Sequence, residues 1–178
     1  MNLNFDIKKT TVLKMLTYLG LLCFFAVLQT AFFSRFGLFD STPDLMFAGV
    51  ITISMFEGEK GGGIAGIAAG FLIESIGGVG LSLLPLPYML CGYICGLCFN
   101  YIYNRNFATW ALFILISFIF REVFTLMYIS IIRPSTSFFY AFRSVLLPEY
   151  FSSVLAAPLL YFLIRPVAKL FHRGRSLS

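Results

Sequence analysis

The sequence predicts an all-α fold: a polytopic transmembrane helical bundle of about six spans with both termini cytoplasmic. Three observations lead there. Charged residues are missing from residues 15–33, 45–56, 61–73, 75–104 and 106–120. Hydrophobic residues make up 59% of the 178-residue chain and charged residues 12%, against about 45–50% and about 25% in soluble domains. A globule of this length cannot bury so much apolar surface, whereas a bilayer solvates it. The third observation is where the Lys and Arg residues fall, which is taken up after the spans themselves.

The first span covers about residues 11–33. Lys8, Lys9 and Lys14 precede or open it, as in a secretory signal, but the apolar run is too long and Ala31-Phe32-Phe33-Ser34 lacks a small-x-small cleavage site. It reads as an uncleaved span. The second, about 43–56, opens at Pro43, a favoured first-turn residue. Its roughly 14 residues reach only ~21 Å, short for a ~30 Å hydrocarbon core, so either it starts near Phe36 or the membrane thins there. A short loop at Glu57-Gly58 leads to the third, about 61–77. The fourth covers about 85–103 and the fifth about 107–132. The sixth, about 144–171, carries Pro158 and Pro166, which are expected to kink it or split off its end. Residues 135–143 mix aromatic, hydroxyl and charged side chains, a composition suited to the membrane interface. The whole chain, 1–178, forms a single integral membrane domain.

With both termini inside, the inner side holds Lys8, Lys9, Lys14, Lys60, Arg105, Arg165, Lys169, Arg173 and Arg175, and the outer side only Arg35, Arg133 and Arg143. Positive residues concentrate on the cytoplasmic side of membrane proteins, and an even number of spans fits this partition. The net charge of +5 therefore points to membrane topology rather than nucleic acid, and the basic inner tail suits anionic lipid.

Gly58, Gly62, Gly66 and Gly70 recur every four residues, and Gly63, Gly70 and Gly77 every seven. One broad side of the third helix is thus nearly bare. Gly92 and Gly96 repeat the device on the fourth. Such faces permit close backbone approach between membrane helices; the surface serves either internal packing or the docking of another protein's span.

Charges inside the spans are few. Glu74 lies one turn beyond Gly70, ~20 Å from the cytoplasmic end of its helix, and Arg121 lies ~21 Å along the fifth. The matching depths predict a structural Glu74–Arg121 ion pair, with neighbouring Glu122 competing for the arginine or staying protonated. Asp44 and Glu149 each follow a proline at a helix start, where an acid suits the positive end of the helix dipole. Intramembrane acids also admit a transport or proton-relay role, but a relay needs a chain of titratable groups, and the only histidine, His172, lies in the tail.

Cys91, Cys95 and Cys98 share one helix face, and with Cys23 they read as soft packing residues. No second Cys or His cluster completes a metal site. No Ser/His pair or acidic cluster suggests intramembrane hydrolysis or phosphotransfer. The expectation is a chain that is not an enzyme, with no catalytic residues, metal or cofactor.

Pro43-Asp44-Leu45, then Glu57-Gly58, then a glycine-rich helix ending in Glu74, then Gly77-Gly78-Val79-Gly80-Leu81 and a helix with Gly92, resemble the rod shape-determining protein MreD family. The resemblance covers about residues 43–96, besides overall size and span number. The family's usual aspartate is Glu74 here, and residues 83–87 are richer in proline than its pattern. The resemblance implies a non-enzymatic component of the bacterial cell-elongation machinery, in the cell membrane. Its implied partners are an MreC-like bitopic scaffold, MreB filaments, and RodA-like and class B penicillin-binding wall synthases. The competing expectation is the substrate-binding membrane subunit of an energy-coupling-factor vitamin transporter. Such subunits have similar size and span number, but their Ala-x-x-x-Ala coupling motif is absent from the first span.

Overall fold

A computed structural model describes residues 3–33, 42–77, 85–101, 106–132 and 147–173. The expected outer loops at 34–42, 78–84 and 133–143 lie almost wholly outside these residues. So do the interfacial segment 135–143, the glycine turn after Gly77, the tail beyond residue 173, and the side chains of Lys8, Lys9, His172 and Arg173.

Among the described residues the fold is all-helical. Helix α1 spans Leu3–Val27 and continues as a π-helical segment, Leu28–Phe33; α2 spans Leu45–Gly77, α3 Pro85–Tyr101, α4 Phe107–Ile132 and α5 Leu147–Arg173. Three stretches are long and apolar enough to cross a membrane: Val12–Ala31, Phe107–Met127 and Leu147–Leu170. Their outward faces are largely apolar, as Leu16, Phe24, Ile119, Val123, Leu155 and Phe162 illustrate, with Arg165 and Lys169 exposed towards the end of the last. This is the surface of a membrane protein.

The expected second and third spans, 43–56 and 61–77, are two helical segments, the two halves of α2. They are joined by the expected turn, which is as short as a single non-helical residue, Gly58, with φ 75° and ψ −166°. Only glycine adopts that conformation without strain. The break is sharp. A Cβ built on Gly62 would lie 2.5 Å from the Ser54 Cβ, although eight residues of unbroken helix would separate the two by ~12 Å. Polar side chains hold the break on both sides. Glu57 pairs with Lys14 Nζ at 2.5 Å and accepts a hydrogen bond from the Tyr18 hydroxyl at 2.8 Å, while Asn100 Nδ2 donates to Glu59.

Each segment runs antiparallel to the one before it. Along α1 and the first half of α2, Lys14 meets Glu57, Phe25 meets Gly49 and Gln29 meets Leu45. Along the second half of α2 and α3, Gly62 meets Gly92 and Gly70 meets Pro85. Cys95 and Ser117 join α3 to α4 at 3.1 Å, and Phe107–Tyr161 and Arg121–Glu149 join α4 to α5. With α2 counted as two segments, the described residues form six helical segments.

The first half of α2 is the axis of this bundle. Every residue from Pro43 to Met55 is buried, as expected of a helix apolar on all sides. Its shortness is thereby explained, since α1, α3, α4 and α5 enclose it and it presents no flank to lipid. Phe47 packs edge-on against Tyr88 and Phe118, each at 5.0 Å between ring centroids. Thr52 receives the Trp110 indole N–H at 3.1 Å.

The glycine face is consumed internally. Cβ atoms on Gly62, Gly66 and Gly70 would overlap the α3 backbone at Gly92, Tyr88 and Pro85, and a Cβ on Gly96 would lie 2.5 Å from the Gly58 carbonyl. Gly77 closes α2. Of the two uses expected for this face, it is helix-to-helix packing within the chain that it serves. Helix α5 is not split at Pro158 or Pro166; a single helix runs through both.

Gly66→Ala is expected to destabilise the protein by about 1–3 kcal/mol, the usual effect of overpacking. Gly63→Ala, whose Cβ would meet Tyr93 at an ordinary 3.7 Å, should change stability by no more than about 1 kcal/mol. Thermal unfolding in detergent micelles compares the two.

Candidate functional site: a buried ion cluster at three helix starts

The most polar point inside the bundle is the start of the axial helix. Asp44 caps α2, its Oδ1 accepting the Phe47 N–H at 3.0 Å, as N-cap acids do. The remaining free N–H groups of the first turn are met from α1, where Gln29 Oε1 accepts from Leu45 N at 3.0 Å and Met46 N at 3.3 Å. The Asp44 N–H itself donates to Ser153 Oγ on α5 at 2.8 Å. A helix start buried in a membrane bundle has no water to turn to, so these side chains complete its backbone hydrogen bonding. A groove of about 200 Å³ opens beside Gln29, between α1 and the second half of α2, lined also by Ala26, Thr30, Ile73 and Ile76.

Asp44 Oδ2 faces the other way. It accepts hydrogen bonds from the Tyr88 hydroxyl and from Arg121 Nη1. The second guanidinium nitrogen, Nη2, donates to Glu149 Oε1 and lies 3.3 Å from Glu122 Oε1. The guanidinium also stands over the rings of Phe47 and Phe118, at 5.9 and 6.0 Å from their centroids, where cation–π attraction adds to the ion pairs. The side chains of Arg121 and Asp44 are 6% and 5% exposed, and Glu149 is 24% exposed. Charges buried this deeply are tolerated only when paired and hydrogen-bonded.

Three helices begin at this point: α2 with its Asp44 cap, α3 with Tyr88 in its first turn, and α5 with Glu149 in its first turn. Each contributes the positive end of a helix dipole, equivalent to about half a charge. Arg121 comes from mid-α4, whose helix continues for about three more turns. One guanidinium thus ties the starts of α2 and α5 to the middle of α4, and Tyr88 brings in α3.

The expected Glu74–Arg121 pair does not form. Arg121 takes Asp44 and Glu149 instead, with Glu122 beside them as the sequence reading allowed. Glu74 is partly buried on the second half of α2, and its Oε1 has no hydrogen-bond partner. The depth argument failed because it fixes height along the bundle and not azimuth. Asp44 lies fourteen residues before the hinge Gly58 and Glu74 sixteen beyond it, so the two acids differ in depth by only ~3 Å and residue counting cannot choose between them as partners for Arg121. The signal that separates them was present: Asp44 and Glu149 both sit at helix starts, which must be buried and capped if their helices are internal. Within the resemblance motif, Asp44 belongs to the ion cluster, with Pro43 and Leu45 flanking it at the helix start, and Glu74 does not.

Elsewhere Cys91 and Cys95 are buried packing residues, Cys95 touching Ser117. No group of three or more His, Cys, Asp or Glu side chains is arranged to hold a metal ion among the described residues. No family model matches the chain, nor does any curated protein or solved structure.

Arg121→Met is expected to cost about 3–5 kcal/mol, since it strands two buried carboxylates. Adding Asp44→Asn should recover part of that loss, giving a coupling of about 1 kcal/mol or more, whereas Glu74→Gln should be additive with Arg121→Met. Equilibrium unfolding of the three single and two double variants measures both couplings.

Proposed function

We propose that this chain is a non-enzymatic integral membrane component of the bacterial cell-elongation machinery, resembling MreD. In this reading it sits in the plasma membrane, crosses it six times with both ends in the cytoplasm, and supports peptidoglycan synthesis beside an MreC-like bitopic protein. That protein links it to MreB filaments and to RodA-like and class B penicillin-binding synthases.

One observation carries the reading. The Pro43-Asp44-Leu45 motif, on which the resemblance rests most specifically, begins the fully enclosed helix and supplies the acid that holds Arg121. A motif used in this way builds a rigid body, and a rigid body with apolar flanks suits a protein whose task is to be held by neighbours in the membrane. Two features agree with it. The six antiparallel segments fit an even number of passes, with Lys14 and Lys60 at the end where Gly58 turns. The glycine face being occupied by α3, partner contact falls to the apolar outer faces of α1, α4 and α5 and to the segments joining the helices.

Affinity purification of the tagged chain from native membranes is expected to bring down a single-span MreC-like protein and wall synthases, and depletion from a rod-shaped cell should give round cells. Recovery of a paired ATPase with a shared membrane coupling subunit, together with tight vitamin binding, would support the transporter reading instead. Cysteine labelling from each side is expected to place residues 2 and 177 in the cytoplasm.

A further inference from the structure

The Arg121 cluster holds more acid than base: Asp44, Glu122 and Glu149 face one guanidinium. Two of the acids are well provided for. Asp44 accepts from the Phe47 N–H, the Tyr88 hydroxyl and Arg121, and Glu149 accepts from Arg121. Both also lie at helix starts, where the dipole favours an anion.

Glu122 has none of this support. Its side chain is 8% exposed, and neither carboxyl oxygen accepts a hydrogen bond. It projects from the middle of α4, where every nearby N–H is committed to the helix. Its closest cationic atom, Arg121 Nη2 at 3.3 Å, already donates to Glu149. The charged groups around it are Asp44 from α2 and Glu149 from α5, both acids, with Arg121 from its own helix. A carboxylate without donors in a medium of low dielectric is expensive, and taking up a proton removes that cost.

We propose that this cluster is a proton-binding site and that its exchangeable proton resides on Glu122. The step is a simple uptake: the carboxylate gains a proton from water and becomes a neutral acid, with no other reactant. Neutral Glu122 leaves Arg121 Nη2 to Glu149, the arrangement seen here. When the proton leaves, the Glu122 anion competes for the same nitrogen. Glu149, the most exposed of the three acids, gives way, and the start of α5 loses its tie to α4. Proton occupancy therefore sets how firmly α5 is anchored. This goes beyond the scaffold reading and holds whichever partners the bundle meets.

The test uses the full-length protein in lipid nanodiscs. Infrared difference spectroscopy at neutral pH is expected to show a protonated-carboxyl C=O band that is lost in Glu122→Gln and retained in Glu149→Gln. Raising the pH should bleach the band and lower the hydrogen-exchange protection of residues 149–153 relative to the base-catalysed intrinsic rate, and Glu122→Gln, a neutral isostere, should abolish that pH dependence of protection while matching the parent's melting temperature at neutral pH. Absence of the band in the parent, its survival in Glu122→Gln, or failure of Glu122→Gln to fold would overturn the proposal.

Discussion

A guanidinium in mid-helix has to find its anions inside the bundle, because lipid offers none. Arg121 finds them at the starts of two other helices, and much of the architecture follows from that requirement. Asp44 can reach it only if the axial helix begins at that depth, and Glu149 only if α5 begins there as well. Tyr88, donating to Asp44, sets the height of α3 against the same point. The two well-supported acids occupy positions where helix dipoles already favour negative charge, so ion pairing and capping reinforce each other.

The second constraint is steric and acts between the second half of α2 and α3. Gly62, Gly66 and Gly70 let the α3 backbone lie where side chains would otherwise stand. In a membrane, where expulsion of water contributes little between helices, such close contact supplies the attraction. The turn at Gly58 serves both arrangements: its positive φ lets one helix double back within a single residue, so the axial segment and the glycine-faced segment stay in contact from the vertex onward. The Lys14–Glu57–Tyr18 and Glu59–Asn100 contacts hold that vertex from either side.

These two devices place the interhelical ion pairs at two levels about 20 Å apart along the axial helix, one at the Gly58 break and one at the Asp44 cap. Between them the packing is chiefly apolar and aromatic, with Trp110, Phe47, Phe99 and Phe118 fully enclosed and Trp110–Thr52 and Cys95–Ser117 as neutral polar contacts. A protein built this way keeps its few charges for joining helices. Its outward surface is left for lipid and for other membrane segments.

The sequence by itself determined that the chain is helical and suited to a membrane, roughly where the six described helical segments lie, and that glycine would bring two of them together. Those properties are local: hydropathy, helix period and residue size act along one segment at a time. It also marked Asp44, Glu74, Arg121, Glu122 and Glu149 as the charges to be accounted for. Tertiary structure alone decided which of them meet. Depth along a helix is legible from residue counting, but the direction in which a side chain points across the bundle depends on which helices are neighbours, and Asp44 and Glu74 stand within ~3 Å of the same depth on the two arms of α2. The same limit hid the axial role of the short second segment. Its length looked like a mismatch with lipid until the surrounding helices took the place of lipid around it.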